Sequence, residues 1–262
     1  MQNSLYTGLF ASLTTEHRMA MISNNIANVN TAGYKADALA FKDTMIHWAH
    51  DFIREPLENL RSEPLFPEQC LRARARIATK KTDFSQGSMQ FTGNQLDIAI
   101  VGDGFYRVQT PQGEYLTRSS SFTKGPDGTI MTKQGYPVQG TGGNIVIPPN
   151  TRNVHVSPDG AVYADGNQIG QLAVVTADDP QLLRKVGNNL YAIPDNVDIA
   201  IGNAFAGQTM VSQGYTEAAN VNVVTEMVNM IEVQRMFEAQ QKVMTTANDV
   251  DKQAITSVGK AR

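Results

Sequence analysis

Helix breakers are confined to the middle of this 262-residue chain. Of its 21 glycines, all but Gly8, Gly33 and Gly259 fall between Gly87 and Gly214, and no proline precedes Pro56 or follows Pro194. Glycine and proline interrupt helices and mark turns. Both ends are therefore free to form long helices, whereas the centre must turn repeatedly. The layout reads as helix, turn-rich β centre, helix. This is an α+β chain with an N-terminal helical segment over 1–35, a connecting segment over 36–81, part helical and part extended, a central antiparallel all-β domain over 82–214, and a long helix over 215–262.

The first helix is expected from Ser4 to Ile26 or Asn28. Leu5, Leu9 and Leu13 recur every four residues, and Ala20 and Ala27 continue that face. Asn30 to Gly33 then supplies an exit turn, because Asn and Gly tolerate left-handed backbone. The last helix is expected from Glu217 to Val258. Val233, Met236, Gln240, Val243, Ala247, Val250 and Ala254 follow one another in alternating steps of three and four, a coiled-coil-like seam extended upstream by Val224, Met227 and Ile231. About 40 helical residues span about 60 Å. A rod of that length must pack on the other terminal helix, on partner chains, or on both.

The centre alternates as strands do, in "LDIAIV", "GFYRVQT", "GTIMTKQGYPVQG" and "NVHVSPDGAVYADG". Pro126-Asp127-Gly128 and Pro158-Asp159-Gly160 read as one hairpin device used twice. In the connecting segment, helical character continues through Phe41, Met45 and Trp48. An acidic stretch (Glu55, Glu58, Glu63, Glu68) precedes Arg72, Arg74 and Arg76, whose alternation places three guanidinium groups on one strand face. Those arginines are subunit-contact candidates through charge complementarity, within one molecule or across a subunit contact.

Signs of catalysis are absent. Gly102-Asp103-Gly104-Phe105 lacks the third glycine of a dinucleotide loop and has no following helix, so a turn into a strand explains it. His47 and His50, with Asp43 and Asp51, have metal-ligand spacing but read as a solvated helical face. Asp127, Asp159 and Asp165 precede glycine without a calcium-loop ladder. There is no Gly-x-Ser-x-Gly elbow, and the single cysteine, Cys70, reads as an incidental thiol. A net charge of −3 and an uninterleaved arginine run argue against nucleic acid. No apolar run reaches the roughly 20 residues of a membrane span, and no secretory leader is expected. The expectation is no enzyme, no metal and no cofactor.

Amides are abundant at both ends instead: Asn24, Asn25, Asn28 and Asn30, then Asn220, Asn222, Asn229, Gln234, Gln240, Gln241 and Asn248. On helix faces amides fix register between neighbours; near helix ends they cap. For Asn28 and Asn30 both readings stand, and for Gln240, on the seam, register-setting is favoured.

Several blocks carry a resemblance. "SNNIANVNTAGYK" from Ser23 to Lys35 resembles the N-terminal signature of bacterial flagellar rod and hook proteins, and "TDFSQGSMQFTGNQLDIAIVGDGFYRV" from Thr82 to Val108 resembles that family's β-domain opening. "YLTRSSSF", "PDGTIMTKQGYPVQG" and "VGNNLYAI" follow in family order, and "QGYTEAANVNVVTEMVNMIEVQRMFEAQQKVMTTAND" from Gln213 to Asp249 resembles the C-terminal signature. "GYPVQGTGGNIVIP" is closer to the proximal-rod (FlgF) branch than to the distal-rod (FlgG) branch. Ser119-Ser120-Ser121 and Ala218-Ala219 depart from the usual pattern, the second leaving Thr216 as a possible helix cap.

The resemblance implies a structural subunit of the basal-body rod, within the periplasm, without enzymatic activity. It implies export through the flagellar type III apparatus and homo- and hetero-oligomeric assembly with other rod subunits. Its N-terminal assembly residues would be Leu5, Leu9, Leu13, Asn24, Asn25, Ile26, Asn28, Asn30, Thr31 and Gly33. Those at the C-terminus would be the seam residues named above. The rival readings are a distal rod protein and a periplasmic wall-binding β module with helical stalks.

Overall fold

The computed structural model describes residues 2–46, 72–194, 201–206 and 209–259. The His47–Asp51 cluster, Trp48, the acidic stretch 55–68 and Cys70 lie outside these described residues. So do the side chains of Leu5, Ala254, Arg72, Arg74 and Arg76.

The chain divides into two compact units. One comprises Met1–Ser23, Ala38–Lys81 and Met227–Arg262; the other comprises Asn24–Asp37 and Thr82–Glu226.

The first unit is built on two helices and a ribbon. Helix α1 spans Gln2–Ala27 and helix α2 spans Val223–Gly259, 37 residues or about 56 Å at the standard rise. The ribbon pairs β1 (Asp37–Ile46) with β2 (Arg72–Thr82). The helical continuation expected through Phe41 and Met45 is thus a strand. Local preference is weak in Asp37–Ile46, and pairing with a second long strand decides the outcome.

The start of α2 also differs from expectation. Tyr215–Glu217 forms a strand with Met89–Phe91, and the helix begins at Val223. Its cap is Asn222, whose Oδ1 accepts hydrogen bonds from Val224 N at 3.1 Å and Thr225 N at 3.3 Å, rather than Thr216. At the other end, Asn28 N reaches both Asn24 O (3.1 Å) and Asn25 O (3.2 Å), and its side-chain amide donates to Asn24 O at 2.8 Å. These bonds occupy carbonyls that a helix terminus leaves open.

The second unit is antiparallel throughout. A six-stranded sheet runs in the order Arg184–Gly187, Leu190–Ala192, Gly113–Thr117, Phe105–Thr110, Val174–Ala177, Ile201–Asn203. Beside it lie the three-stranded sheet Val154–Val156, Ala161–Ala164, Asn167–Gln171 and several two-stranded pairs. Ile98, Ile100, Tyr106, Val108, Phe122, Ile130 and Val138 form the centre of its core. Tyr106 meets Phe122 edge to face at 5.1 Å and donates its hydroxyl to Ile98 O at 2.9 Å, so its one polar atom is satisfied.

The repeated hairpin device is real. Gly125 N bonds Thr129 O at 2.8 Å and Ser157 N bonds Ala161 O at 2.9 Å, while Gly128 and Gly160 adopt φ of +80° and +81°. Two unrelated stretches reach the same turn because Pro-Asp-Gly presets its dihedrals.

Candidate functional site

Within the helical unit, the inward row of α2 is Met230, Val233, Phe237, Gln240, Met244 and Ala247, all half-buried except Val233, which is fully buried. The expected seam shares only Val233, Gln240 and Ala247 with it. Met236, Val243 and Val250 are 46%, 68% and 53% exposed, and the upstream residues Val224, Met227 and Ile231 are exposed as well. A three-four repeat has two registers that share one line of residues. The register that buries Met230, Phe237 and Met244 removes more apolar area from water than the one that buries Met236, Val243 and Val250.

Covered positions on α1 include Gly8, Ala11, Ser12, Thr15, Met19 and Ile22, whereas Leu9 and Leu13 are 49% and 44% exposed and Ala20 and Ala27 are exposed too. Leu9 and Leu13 thus point away from the helix pairing. Gly8 and Thr15 meet α2 instead. A Cβ on Gly8 would lie 3.0 Å from Met244 Cγ, so glycine permits the close approach. The Thr15 hydroxyl lies 2.8 Å from Ala11 O and 3.1 Å from Gln240 Oε1. Gln240 thus has its partner on α1 of the same chain.

In the β unit, the Asn-rich block and the C-terminal block meet in a buried ionic clasp. Glu217 Oε1 lies 2.7 Å from Lys35 Nζ, and Oε2 lies 2.7 Å from Arg118 Nε; the three side chains are 1%, 2% and 5% exposed. Removing three charges from water costs several kcal/mol per ion, so such a cluster survives only with its remaining donors and acceptors satisfied. They are: Lys35 also donates to Ser85 O at 2.7 Å, Arg118 to Gly102 O at 2.6 Å, Ile100 O at 3.2 Å and Gly104 O, and Glu217 Oε1 accepts Gly87 N at 2.9 Å. Burial works to raise the Glu217 carboxyl, but Arg118 and Lys35 outweigh it and hold the group below its ordinary range. Burial pulls the Lys35 ammonium below its ordinary range against the attraction of Glu217.

The loop carrying Lys35 is gripped along its length. The Asn25 side-chain amide donates to Asp37 O at 3.0 Å and its Oδ1 accepts Asp37 N at 3.1 Å, doing for one residue what a neighbouring strand would do. Tyr34 OH lies 3.0 Å from both Asn24 Oδ1 and Asn25 Oδ1. Lys185 Nζ sits 3.9 Å above the Tyr34 ring and donates to Lys35 O at 2.9 Å. Asn220 Oδ1 accepts Ala36 N at 2.7 Å, and Asn189 Nδ2 donates to Ala32 O at 3.0 Å. Gly33 is required twice: its φ is +72°, and a Cβ there would lie 2.1 Å from Arg118 O.

Among the residues expected to serve assembly, Asn24, Asn25, Asn28 and Gly33 thus have partners inside the chain, Ile26 is half-buried, and Asn30 and Thr31 are exposed. Lys35, Arg118, Lys185 and Glu217 were not singled out. A signal for Glu217 was present, since it is the only charge between Asn203 and Thr225. The serine run also finds a use, because Ser120 Oγ accepts Glu217 N at 2.9 Å.

Nothing here resembles a reaction centre. Among the described residues no three His, Cys, Asp or Glu side chains converge as metal ligands, and no helix is long and apolar enough to cross a membrane. The arrangement fixes backbone.

Comparison with known proteins agrees with a structural role. Residues 5–35 match the family model described as flagella basal body rod protein, residues 99–164 the flagellar hook protein FlgE/F/G D1 domain, and residues 212–257 the flagellar basal body rod FlgEFG protein C-terminal. The chain is 32% identical to the flagellar basal-body rod protein FlgF of Caulobacter vibrioides over 99% of each sequence. It is 33% identical to FlgG of Buchnera aphidicola subsp. Baizongia pistaciae over 93% of this chain and 94% of the relative, and 31% identical to FlgG of Bacillus subtilis over 95% and 97%. An asparagine-rich loop locked to the β unit by Lys35, Glu217 and Arg118, in a chain matched from end to end, makes this protein a member of the flagellar basal-body rod family.

Proposed function

We propose that this chain is a proximal-rod subunit of the FlgF kind, which joins other rod subunits through its terminal helices and passes torque from motor to hook. The observation that carries the assembly reading is the outward apolar face of the helices: Leu9, Leu13, Met236, Val243 and Val250 stand exposed while the helix pair is closed by other residues. Exposed apolar faces of that extent mark contacts with other chains. The proximal position is supported by length, since FlgF relatives align over 99% of this chain and of their own sequence, against 93–95% of this chain for FlgG relatives.

In this reading the subunit resides in the periplasmic rod, arrives through the flagellar type III export apparatus, and performs no catalysis. Each contact is modest, and repetition around a helical assembly supplies stiffness. The clasp anchors the two stretches, residues 25–37 and 217–226, through which load on the terminal helices enters the β unit. Locating the chain in an electron-microscopy map of isolated basal bodies tests the proposal: density at the membrane-proximal end of the rod is expected. Density at the hook-proximal end would make it a distal-rod subunit, and its absence from the rod would defeat the reading.

A further inference from the structure

Beside the clasp, the β unit holds a cavity of about 160 Å³. Lys35 and Arg118 form its buried side, and the exposed residues Asp103 and Asp178 form its outer side. Phe84 and Phe105, edge to face at 5.6 Å, add an apolar wall. Every nitrogen of the two cations has a protein partner, yet each side chain keeps one hydrogen beyond those bonds. Lys35 Nζ uses two of its three, on Glu217 and Ser85 O. Arg118 uses four of its five, on Glu217, Gly104 O, Ile100 O and Gly102 O, and the one left is on Nη1. Glu217 neutralises only one of the two positive charges, so the other is left over on the buried side of the cavity.

The outer carboxylates are uncommitted as well. Among the described residues, neither the Asp103 nor the Asp178 side chain has a hydrogen-bond or ion-pair partner.

We propose that this cavity binds a small zwitterion, a free α-amino acid, with its carboxylate toward Lys35 and Arg118 and its ammonium toward Asp103 and Asp178. The site goes beyond the reading of the protein as a rod subunit, and neither depends on the other. A simple anion would suit the buried cations but would have to pass and sit beside two carboxylates. A simple cation would suit the carboxylates but would meet the surplus positive charge. A molecule with both charges complements both sides, and the low dielectric of the buried side strengthens its inner, charge-assisted hydrogen bonds. Size narrows the class further. A protein cavity of about 150 Å³ holds a molecule of benzene, so this one has room for a single small amino acid and none for a peptide. The phenylalanine wall suits a short aliphatic side chain. Once bound, the carboxylate would take up the spare hydrogens of Lys35 and Arg118 and brace the clasp.

Titration of the purified full-length chain with L-alanine, propionate and ethylamine tests this, because the three are similar in size and differ in the charges they carry. L-alanine is expected to shift the amide NMR signals of Gly104 and Ala177, which line the cavity, to saturation, and to raise the urea midpoint. Propionate and ethylamine each lack one charge and are expected to bind more weakly by about tenfold or more. Binding of either as tightly as L-alanine would make the cavity a simple ion site and overturn the proposal. So would the lack of a saturable shift with L-alanine. A variant carrying both Asp103→Asn and Asp178→Asn adds a readout that a merely structural role would not move. Without ligand its urea midpoint should match wild type, while L-alanine should bind about tenfold more weakly and propionate more tightly. Unchanged affinity for L-alanine in that variant would also overturn the proposal.

Discussion

Lys35 and Glu217 lie 182 positions apart in the chain, and their charged atoms meet 2.7 Å apart in the interior of the β unit. One residue follows the exit loop of the first helix and the other closes the strand that precedes the second. Their pairing, completed by Arg118, ties these two distant stretches together within the β unit. The Asn-rich signature is thus a locking sequence.

Glu217→Gln should lower the stability of the β unit by about 3 kcal/mol, because it leaves Lys35 and Arg118 as buried cations without a counter-charge. The urea midpoint should drop with little change in slope. The solvent-exposed pair Arg107–Glu114 provides a control, since Arg107→Ala should change stability by no more than about 0.5 kcal/mol. Equal effects from the two substitutions would contradict the clasp.

The clasp and the buried tyrosines set opposite pH limits. Glu217 has its folded pKa depressed below the ordinary 4.5, so its contribution is complete above pH 4.5 and disappears as pH falls through the folded value. Tyr34, Tyr106 and Tyr191 are pushed up from 10.0, chiefly by burial, so the stability they contribute is complete below pH 10 and is lost as pH rises beyond it. Lys35, depressed from 10.5 by burial, opposes that alkaline loss as a single group against three. Denaturation followed at fixed pH values should show a plateau bounded near these limits. In Glu217→Gln the acid-side slope should flatten, because the carboxyl that titrates there is gone.

Gly33→Ala should cost about 2 kcal/mol or more, since the alanine must hold φ near +72° and place its Cβ 2.1 Å from Arg118 O. Gly135→Ala is the matched comparison. That residue has a similar φ of +87° with nothing within 4 Å of the added carbon, so only the backbone penalty of about 1 kcal/mol remains. Thermal melts of the two variants separate strain from steric overlap.

The helices and the β centre were legible because glycine and proline placement is a local property, and so were both Pro-Asp-Gly hairpins. Elements fixed by distant partners were not. Asp37–Ile46 is a strand because Arg72–Thr82 pairs with it. The register of α2 was ambiguous for a geometric reason, as Val233, Gln240 and Ala247 belong to both apolar rows. The row that faces α1 is the one on which Met244 meets Gly8 and Gln240 meets Thr15. The clasp was hidden because Lys35, Arg118 and Glu217 are ordinary charged residues in sequence, and only the fold makes them neighbours.

That register leads to a final prediction. Val243 is 68% exposed and Val233 is fully buried, although they stand ten positions apart on the same helix. Val243→Asp should leave the purified chain with unchanged helicity and a stability within about 0.5 kcal/mol of wild type, because a solvated surface carboxylate disturbs little. In cells the same variant should be absent from basal bodies and abolish swimming, because in the rod that carboxylate would be buried without a partner. Val233→Asp should fail earlier, losing helicity in the isolated chain, because it puts the charge into the helix pair itself. Circular dichroism of the purified variants, with basal-body content and soft-agar motility, distinguishes the two outcomes. Normal motility of Val243→Asp would mean that the outward row of α2 touches no neighbour in the rod, and the helices would then assemble through the leucine face of α1 alone.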